Sequence, residues 1–316
     1  PKIMVFIPAR NEEGALGGVI KGIVQSIQSI TGAPPAVVVG SDGSSDKTID
    51  IARSRGAYVI IHDTAVGLGA NFQSGIERAL DEKADVLVTI DGDGQFDTND
   101  VAQLLDPVLK GEADMVTGSR FLEESIVSGI PPAKKWGNAR MSALISTIIG
   151  RKFMDVSCGY RVYNRKAILS LNLFGSFTYT QEVFLDLAYK GLRIMEVPIS
   201  VEYFLERKSR IAHNLFRYAW QTLNIIVSSV VYYRPMWLFG RLAVIFGIPG
   251  IVIVLTMLNY FLRTGMFTPY KYMLFIGSTL VGLSAFSIVA GLCLHLLSRI
   301  QVVLERILYF TKRSLP

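Results

Sequence analysis

The stretch that decides the fold is "VLVTIDGDGQFDTND", residues 86–100. A short β-branched run ends abruptly in Asp91 and Asp93, with Gln95 two residues further on and Asp97 and Asp100 behind. The run is too short for a helix and reads as a buried strand. Its carboxylates therefore lie at a strand's carboxyl end, where open α/β sheets place their ligands. Like charges this close repel unless a cation neutralises them. A calcium loop is excluded, because its sixth and twelfth positions would be Phe96 and Ala102 instead of glycine and glutamate. Two readings stay open from these residues: a solvated acidic turn, or a divalent cation with few protein ligands that is shared with a phosphate-bearing substrate.

Outward from this stretch, strand-like runs fall at 3–7, 36–39, 57–61, 86–90 and 114–117, and helical patterns between them at 12–30, 45–55, 68–83 and 98–110. Such alternation predicts a mostly parallel sheet covered by helices. A longer loop at 122–135 holds Gly129, Pro131 and Pro132 as breakers, before helices at 138–150 and 181–191 and a strand at 193–197.

The C-terminal third has a different composition. Residues 242–262 and 272–298 carry no charged side chain, and each is long enough to cross a hydrocarbon core of about 30 Å as a helix. Gly247, Pro249 and Gly250 mark a place where the first can kink. Arg263 and Lys271 lie between the two, while Arg234, Arg241, Arg299, Arg306, Lys312 and Arg313 lie on the other side. The positive-inside rule then expects both termini, and the large N-terminal domain, in the cytoplasm. No secretory leader is expected, since the chain opens on the strand "KIMVFIPA". Residues 211–233 repeat Leu215, Ala219, Leu223, Ile226 and Val230 at helical spacing, with Trp220, Tyr232 and Tyr233. Beside the spans this reads as an interfacial helix.

Cys158 and Cys293 fit no disulfide framework, and His62, His213 and His295 are too scattered for a zinc cluster or a Ser-His-Asp triad. The net charge of +6 gathers at "RKSR" (207–210) and beside the spans, which suits anionic headgroups and not nucleic acid. "GLGANFQSG" (67–75) fails as a dinucleotide fingerprint because Phe72 stands where the third glycine belongs, and no P-loop occurs. The loops after successive strands, "PARNEE" (8–13), "GSDGSSDKT" (40–48) and the acidic stretch, converge on one sheet edge. There Asp42 reads either as part of a well-capped turn or as an acceptor for a nucleobase or ribose.

The order "IPARNEE", "SDGSSDKT", "GLGANFQSG", "DGDGQF", "TGSRF", "GN", "DVSCGYR", "QE" and "EVPI" closely resembles family 2 glycosyltransferases of the GT-A fold, within them the dolichyl-phosphate mannose or glucose synthase group. The resemblance covers about residues 2–210. It implies a Rossmann-like α/β domain that moves a hexose from a UDP- or GDP-linked donor to a polyprenyl phosphate, with inversion, the lipid phosphate acting as nucleophile. It places Pro8, Ala9, Arg10, Asn11, Glu12, Asp42, Gly69, Asp91 and Gly92 on the nucleotide. Asp91, Asp93 and Gln95 would hold Mg²⁺ or Mn²⁺. Ser119, Arg120, Arg140, Arg161, Arg207 and Arg210, with Ser209, would receive the acceptor phosphate, and Asp155, Asp93 and Glu182 would be catalytic; for Arg161 and Glu182 a mutual salt bridge is the alternative. The chain departs from the pattern at Ser41, where many relatives have a second aspartate, at Leu68 in place of lysine, and near 207–210, where a glycine is missing and Arg210 replaces lysine.

The expected organisation is thus a GT-A domain (1–210), a juxtamembrane amphipathic helix (211–234), two transmembrane helices (235–298) and a cytoplasmic basic helix (299–316), with the bilayer as partner and self-association left open. A processive polysaccharide synthase would need a Q-x-x-R-W motif and more spans, and neither is found. A non-catalytic scaffold is the rival from another class, opposed by the intact Asp91, Asp93, Arg120 and Asp155.

Overall fold

The computed structural model describes residues 1–122, 127, 128, 130, 132–173, 179–202, 224, 227, 228 and 230–314. The chain divides into two compact units, residues 1–226 with 308–316, and residues 227–307.

The first unit is built on seven strands: β1 (Ile3–Ala9), β2 (Ala36–Asp42), β3 (Tyr58–His62), β4 (Val86–Thr89), β5 (Met115–Ser119), β7 (Arg161–Asn164) and β8 (Ile194–Pro198). Their order is β3-β2-β1-β4-β7-β5-β8. Every pair is parallel except those made by β7, which runs antiparallel between β4 and β5. A second, parallel pair joins β6 (Val127–Ser128) to β9 (Val201–Glu202). β1 is buried at every position, as expected of a central strand covered on both faces. Helix α1 (Leu16–Thr31) turns Leu16, Val19, Ile20, Ile23 and Ile27 onto one face of the sheet, the i, i+3, i+4, i+7 spacing of a half-buried helix. Among its described residues this unit also holds helices α2 (Thr48–Ser54), α3 (Leu68–Asp81), α4 (Val101–Leu109), α5 (Pro132–Ile149), α6 (Arg165–Ser170) and α7 (Thr180–Tyr189).

The mostly parallel α/β architecture matches the sequence reading, and two details depart from it. The "RVYN" run forms β7, a four-residue strand that its arginine and brevity conceal. The breaker Pro132 opens α5 instead of ending a loop, because the first turn of a helix has no use for its missing N–H.

The second unit contains most of two long helices, α8 (Pro235–Thr264) and α9 (Lys271–Ser314). α8 runs through Pro249, and its small residues serve close packing: a Cβ at Gly247 would sit 2.7 Å from Ser284 Oγ, and one at Gly250 only 2.9 Å from Leu280 Cβ and Val281 N. Both helices are long and apolar enough to cross a membrane. Their outward side chains include Ile248, Leu255, Phe275 and Phe286, each more than half exposed, an apolar surface far larger than a water-facing protein tolerates. α9 continues without interruption past residue 298, and its last turns return to the first unit, where Lys312 Nζ donates to Leu171 O at 2.8 Å and Asn172 Oδ1 at 2.9 Å. Of the expected interfacial helix, residues 211–223, 225, 226 and 229 lie outside the described residues.

Candidate active site

Parallel register brings the first two loops together. β1 and β2 pair Pro8 with Gly40 and Ala9 with Ser41, so "PARNEE" and "SDGSSDKT" leave the sheet side by side. They are then laced to each other. Asn11 adopts a left-handed conformation (φ 52°), which asparagine tolerates better than most residues. Its Oδ1 accepts from Ser45 N at 2.8 Å and its N–H donates to Ser44 Oγ at 3.2 Å. Glu12 N donates to Thr48 Oγ1 at 2.8 Å, Glu13 N to Asp46 at 3.1 Å, and Lys47 N back to Glu13 at 3.1 Å. Asp42 Oδ1 accepts from Val66 N at 2.6 Å and Gly67 N at 3.3 Å, fixing the entry to α3, whose first turn buries Gly69. Arg10 stands exposed at the rim of this edge.

The acidic stretch joins the same edge, because Gly92 N donates to Pro8 O at 3.3 Å. Its carboxylates divide into two kinds. Asp97 caps the turn that follows, accepting from Asn99 N at 2.9 Å, and Asp100 accepts from Ser200 N at 2.6 Å and Gln103 Nε2 at 3.0 Å. These two hold backbone. Asp93 Oδ1 accepts from Gln95 N at 3.1 Å, and Gln95 O in turn accepts from Glu202 N at 2.9 Å. Asp91 faces Gly159, where a Cβ would lie 2.9 Å from both carboxylate oxygens, so any larger residue would displace the carboxylate. Burial, and then the charge of Asp93, pushes the Asp91 carboxyl up to about 7, against the pull of Arg120 and Arg161.

This acidic pair fits a divalent cation. Among the described residues no group of three or more His, Cys, Asp or Glu could hold a metal by protein ligands alone. Asp91 and Asp93 offer hard oxygen donors and mutual repulsion that a cation would relieve, the donor set of an ion that takes its remaining ligands from water and phosphate.

Opposite them lies an ion pair that positions an arginine. Arg120, one residue beyond β5, grips Asp155 with two nitrogens: Nε to Oδ2 at 2.6 Å and Nη2 to Oδ1 at 2.9 Å. Its backbone N–H adds a third bond to Oδ2 at 3.2 Å. Ser157 donates to Oδ1 through both N and Oγ at 3.1 Å. Arg120 Nη2 also reaches Ser157 Oγ at 2.7 Å. Burial opposes ionisation of Asp155, but the Arg120 charge and these bonds together hold its carboxyl below the usual carboxylate range. The loop is braced from two sides. Glu196, on β8, accepts from Asp155 N at 2.7 Å and Met154 N at 2.9 Å, while Asn138 and Ser142, on α5, both donate to Met154 O at 3.0 Å.

The remaining expected phosphate ligands separate. Ser119 is buried at the end of β5, and Arg140 stands exposed on α5 with its guanidinium 5.6 Å from the centre of the Trp136 ring. Arg161 departs from the expectation. It is fully buried, its Nη2 donating to Val156 O at 3.2 Å and Thr180 O at 2.9 Å and its guanidinium 4.9 Å from the Phe184 ring centre. That position ties the Asp155 loop to the start of α7 and leaves no surface for a ligand. Glu182 is buried in the first turn of α7. Arg207, Ser209 and Arg210 lie outside the described residues. Gly159, Ser157, Asn138 and Glu196 carry the geometry without having been singled out as site residues. A glycine beside a buried strand in "DVSCGYR" and a glutamate within the apolar run "IMEVPI" were the available signals.

Residues 4–171 match the family described as glycosyl transferase family 2. The UDP-N-acetylglucosamine–dolichyl-phosphate N-acetylglucosaminyltransferase of Methanococcus voltae is 27% identical, the match covering 75% of this chain and 95% of that protein. The dolichyl-phosphate hexose transferase of Haloferax volcanii is 30% identical over 62% of this chain and 81% of its own length. Among solved structures, glucosyl-3-phosphoglycerate synthase from Mycobacterium tuberculosis, in complex with Mn²⁺, UDP and glucosyl-3-phosphoglycerate, superposes with a TM-score of 0.55. It shares 20% identity, with 72% of this chain and 79% of that one covered, and supports the fold.

Proposed function

The chain belongs to glycosyl transferase family 2, and from that premise we propose that it is a membrane-anchored inverting hexosyltransferase that uses a nucleotide sugar to glycosylate a polyprenyl phosphate. The observation that carries this reading is the convergence of a carboxylate pair, Asp91 and Asp93, and a fixed guanidinium, Arg120, at one end of the sheet. The relatives named for dolichyl-phosphate chemistry favour the lipid acceptor.

The laced loops at Pro8–Glu12 and Asp42–Thr48 form the cradle for the base and ribose, with Gly69 and Gly92 allowing close approach. Asp91 and Asp93, with Gln95 beside them, would hold Mg²⁺ or Mn²⁺, which supplies charge stabilisation to the departing nucleoside diphosphate. Arg120, its guanidinium held in place by Asp155, would receive the acceptor phosphate, with Ser119 next to it in the chain. Asp155 orients Arg120. It accepts five hydrogen bonds, and a phosphate that is mostly dianionic at neutral pH needs no base before attack. Glu182 sits on the sugar side, and Arg161 braces the floor. Helices α8 and α9 anchor the catalytic unit on the cytoplasmic side.

The test is incubation of the full chain in vesicles containing a polyprenyl phosphate with a panel of UDP- and GDP-linked sugars, the lipid product being read by mass spectrometry. One sugar should be transferred in a Mg²⁺- or Mn²⁺-dependent reaction that Asp93→Ala abolishes. Consumption of no donor would leave the scaffold reading standing.

A further inference from the structure

Helix α5 has two faces with different chemistry. Its inner face buries Ser142, Ile145 and Ile148, and with Asn138 it holds the Asp155 loop. Its outer face presents Lys135, Trp136, Arg140 and Leu144, and Arg151 and Lys152 follow just past its end. Trp136 is 65% exposed, which is unusual for the residue with the most apolar surface to bury. Along the helix and its flanks in the chain, the charge is of one sign. From residue 125 to residue 154 the sequence contains no Asp or Glu but five cations: Lys134, Lys135, Arg140, Arg151 and Lys152.

An exposed tryptophan and a leucine within a purely cationic helix surface have the composition of a membrane-interface element, in which the indole sits at headgroup level and the cations meet anionic lipid. We infer that the outer face of α5 docks on an anionic bilayer surface. A second copy of this chain is a poor occupant, because this face would meet its own positive charge. The inference rests on the proposed lipid acceptor for its purpose, since the helix that touches the bilayer would also set the height of Arg120 and Asp155 above it. The docking itself needs no turnover.

The experiment uses the full chain with Trp220→Phe and Trp237→Phe, so that Trp136 is the remaining tryptophan. It is reconstituted in vesicles of neutral phosphatidylcholine, or with about one third phosphatidylglycerol, using lipids brominated in the acyl chain. Docking predicts strong quenching of Trp136 in the anionic vesicles, weaker quenching in neutral ones, and relief by salt. R151Q and K152Q should each lower the docked-to-free ratio about fivefold. In the otherwise unaltered chain, the R151Q/K152Q pair should slow transfer to bilayer-borne acceptor while leaving nucleotide binding unchanged. Quenching by aqueous iodide but not by bromolipid overturns the inference. Protection from both quenchers also overturns it, showing that a second copy or another protein covers the face. Bromolipid quenching without consumption of any nucleotide sugar would keep this surface and remove the proposed activity.

Discussion

At the scale of single residues, the site depends on groups that are held more than on groups that react. Asp155 is fully buried with its carboxylate saturated, and Arg120 is bound to it through two nitrogens. Asp155→Asn should therefore destabilise the chain by about 3 kcal/mol, the cost of leaving a largely buried guanidinium unpaired. It should also lower kcat/KM for the polyprenyl phosphate. Arg120→Lys should raise KM for that acceptor far more than for the nucleotide sugar, since lysine has no fork. The losses in the double variant should be less than additive, because both changes alter the same pair; strictly additive losses in kcat/KM would mean that Asp155 acts independently. Gly159 gives a sharper test. In Gly159→Ala the new methyl would lie 2.9 Å from both Asp91 oxygens. Mn²⁺-dependent binding of the nucleoside diphosphate should weaken at least about tenfold, as expected for a displaced neighbour of a metal ligand, with the thermal transition kept. Calorimetry showing unchanged affinity would remove Asp91 from the metal site.

At the scale of elements, the strand ends opposite the site are fixed by Asp114, which precedes β5. It is buried and accepts from Arg193 N at 2.9 Å and Asn164 Nδ2 at 3.0 Å, with the Arg193 guanidinium at 3.3 Å. Burial opposes its ionisation, and the bonds from Arg193 and Asn164 outweigh that, bringing its carboxyl down to about 2. A native value below the unfolded one means that the native state binds fewer protons between them. The stabilisation is complete above the unfolded value and is lost as pH falls toward about 2. Its size is about 1–2 kcal/mol, discounted because Arg193 is half exposed. Asp114→Asn should lower the unfolding temperature at pH 7, and by progressively less as pH falls to 2 and below. An equal deficit at both values, followed by thermal unfolding, would assign the loss to packing instead. Element existence was legible in the sequence wherever periodicity extended over several residues, as in β1, α1 and α3. β7 was not legible, because four residues bracketed by two other strands derive their conformation from those neighbours.

At the scale of the whole molecule, the proposed acceptor keeps its phosphate at the bilayer surface, so the catalytic unit has to be held there. A chain shortened to residues 1–210 should still bind nucleotide. It should transfer poorly to a long-chain acceptor in vesicles and nearly normally to a short, water-soluble one. Equal rates on the vesicle acceptor would show that the C-terminal helices do not position the reaction. The shortened chain also loses the contacts of Lys312 with Leu171 and Asn172, which belong to the same compact unit as the sheet.

The sequence by itself determined the alternation of strands and helices, the two uncharged segments and the loops that carry Pro8–Glu12, Asp42 and Asp91–Gln95, because hydrophobic period, turn chemistry and composition are local properties. The tertiary structure decided which of the charged residues are spent on backbone or carried into the core. Asp97 and Asp100 resemble Asp91 and Asp93 in sequence, yet they hold backbone at Asn99 and Ser200. Arg161 resembles Arg120, yet β7 carries it into the core. The Asp100–Ser200 bond and the burial of Arg161 depend on strand order and on which segments meet across the sheet, and contacts between residues 35 or more positions apart leave no local pattern to read.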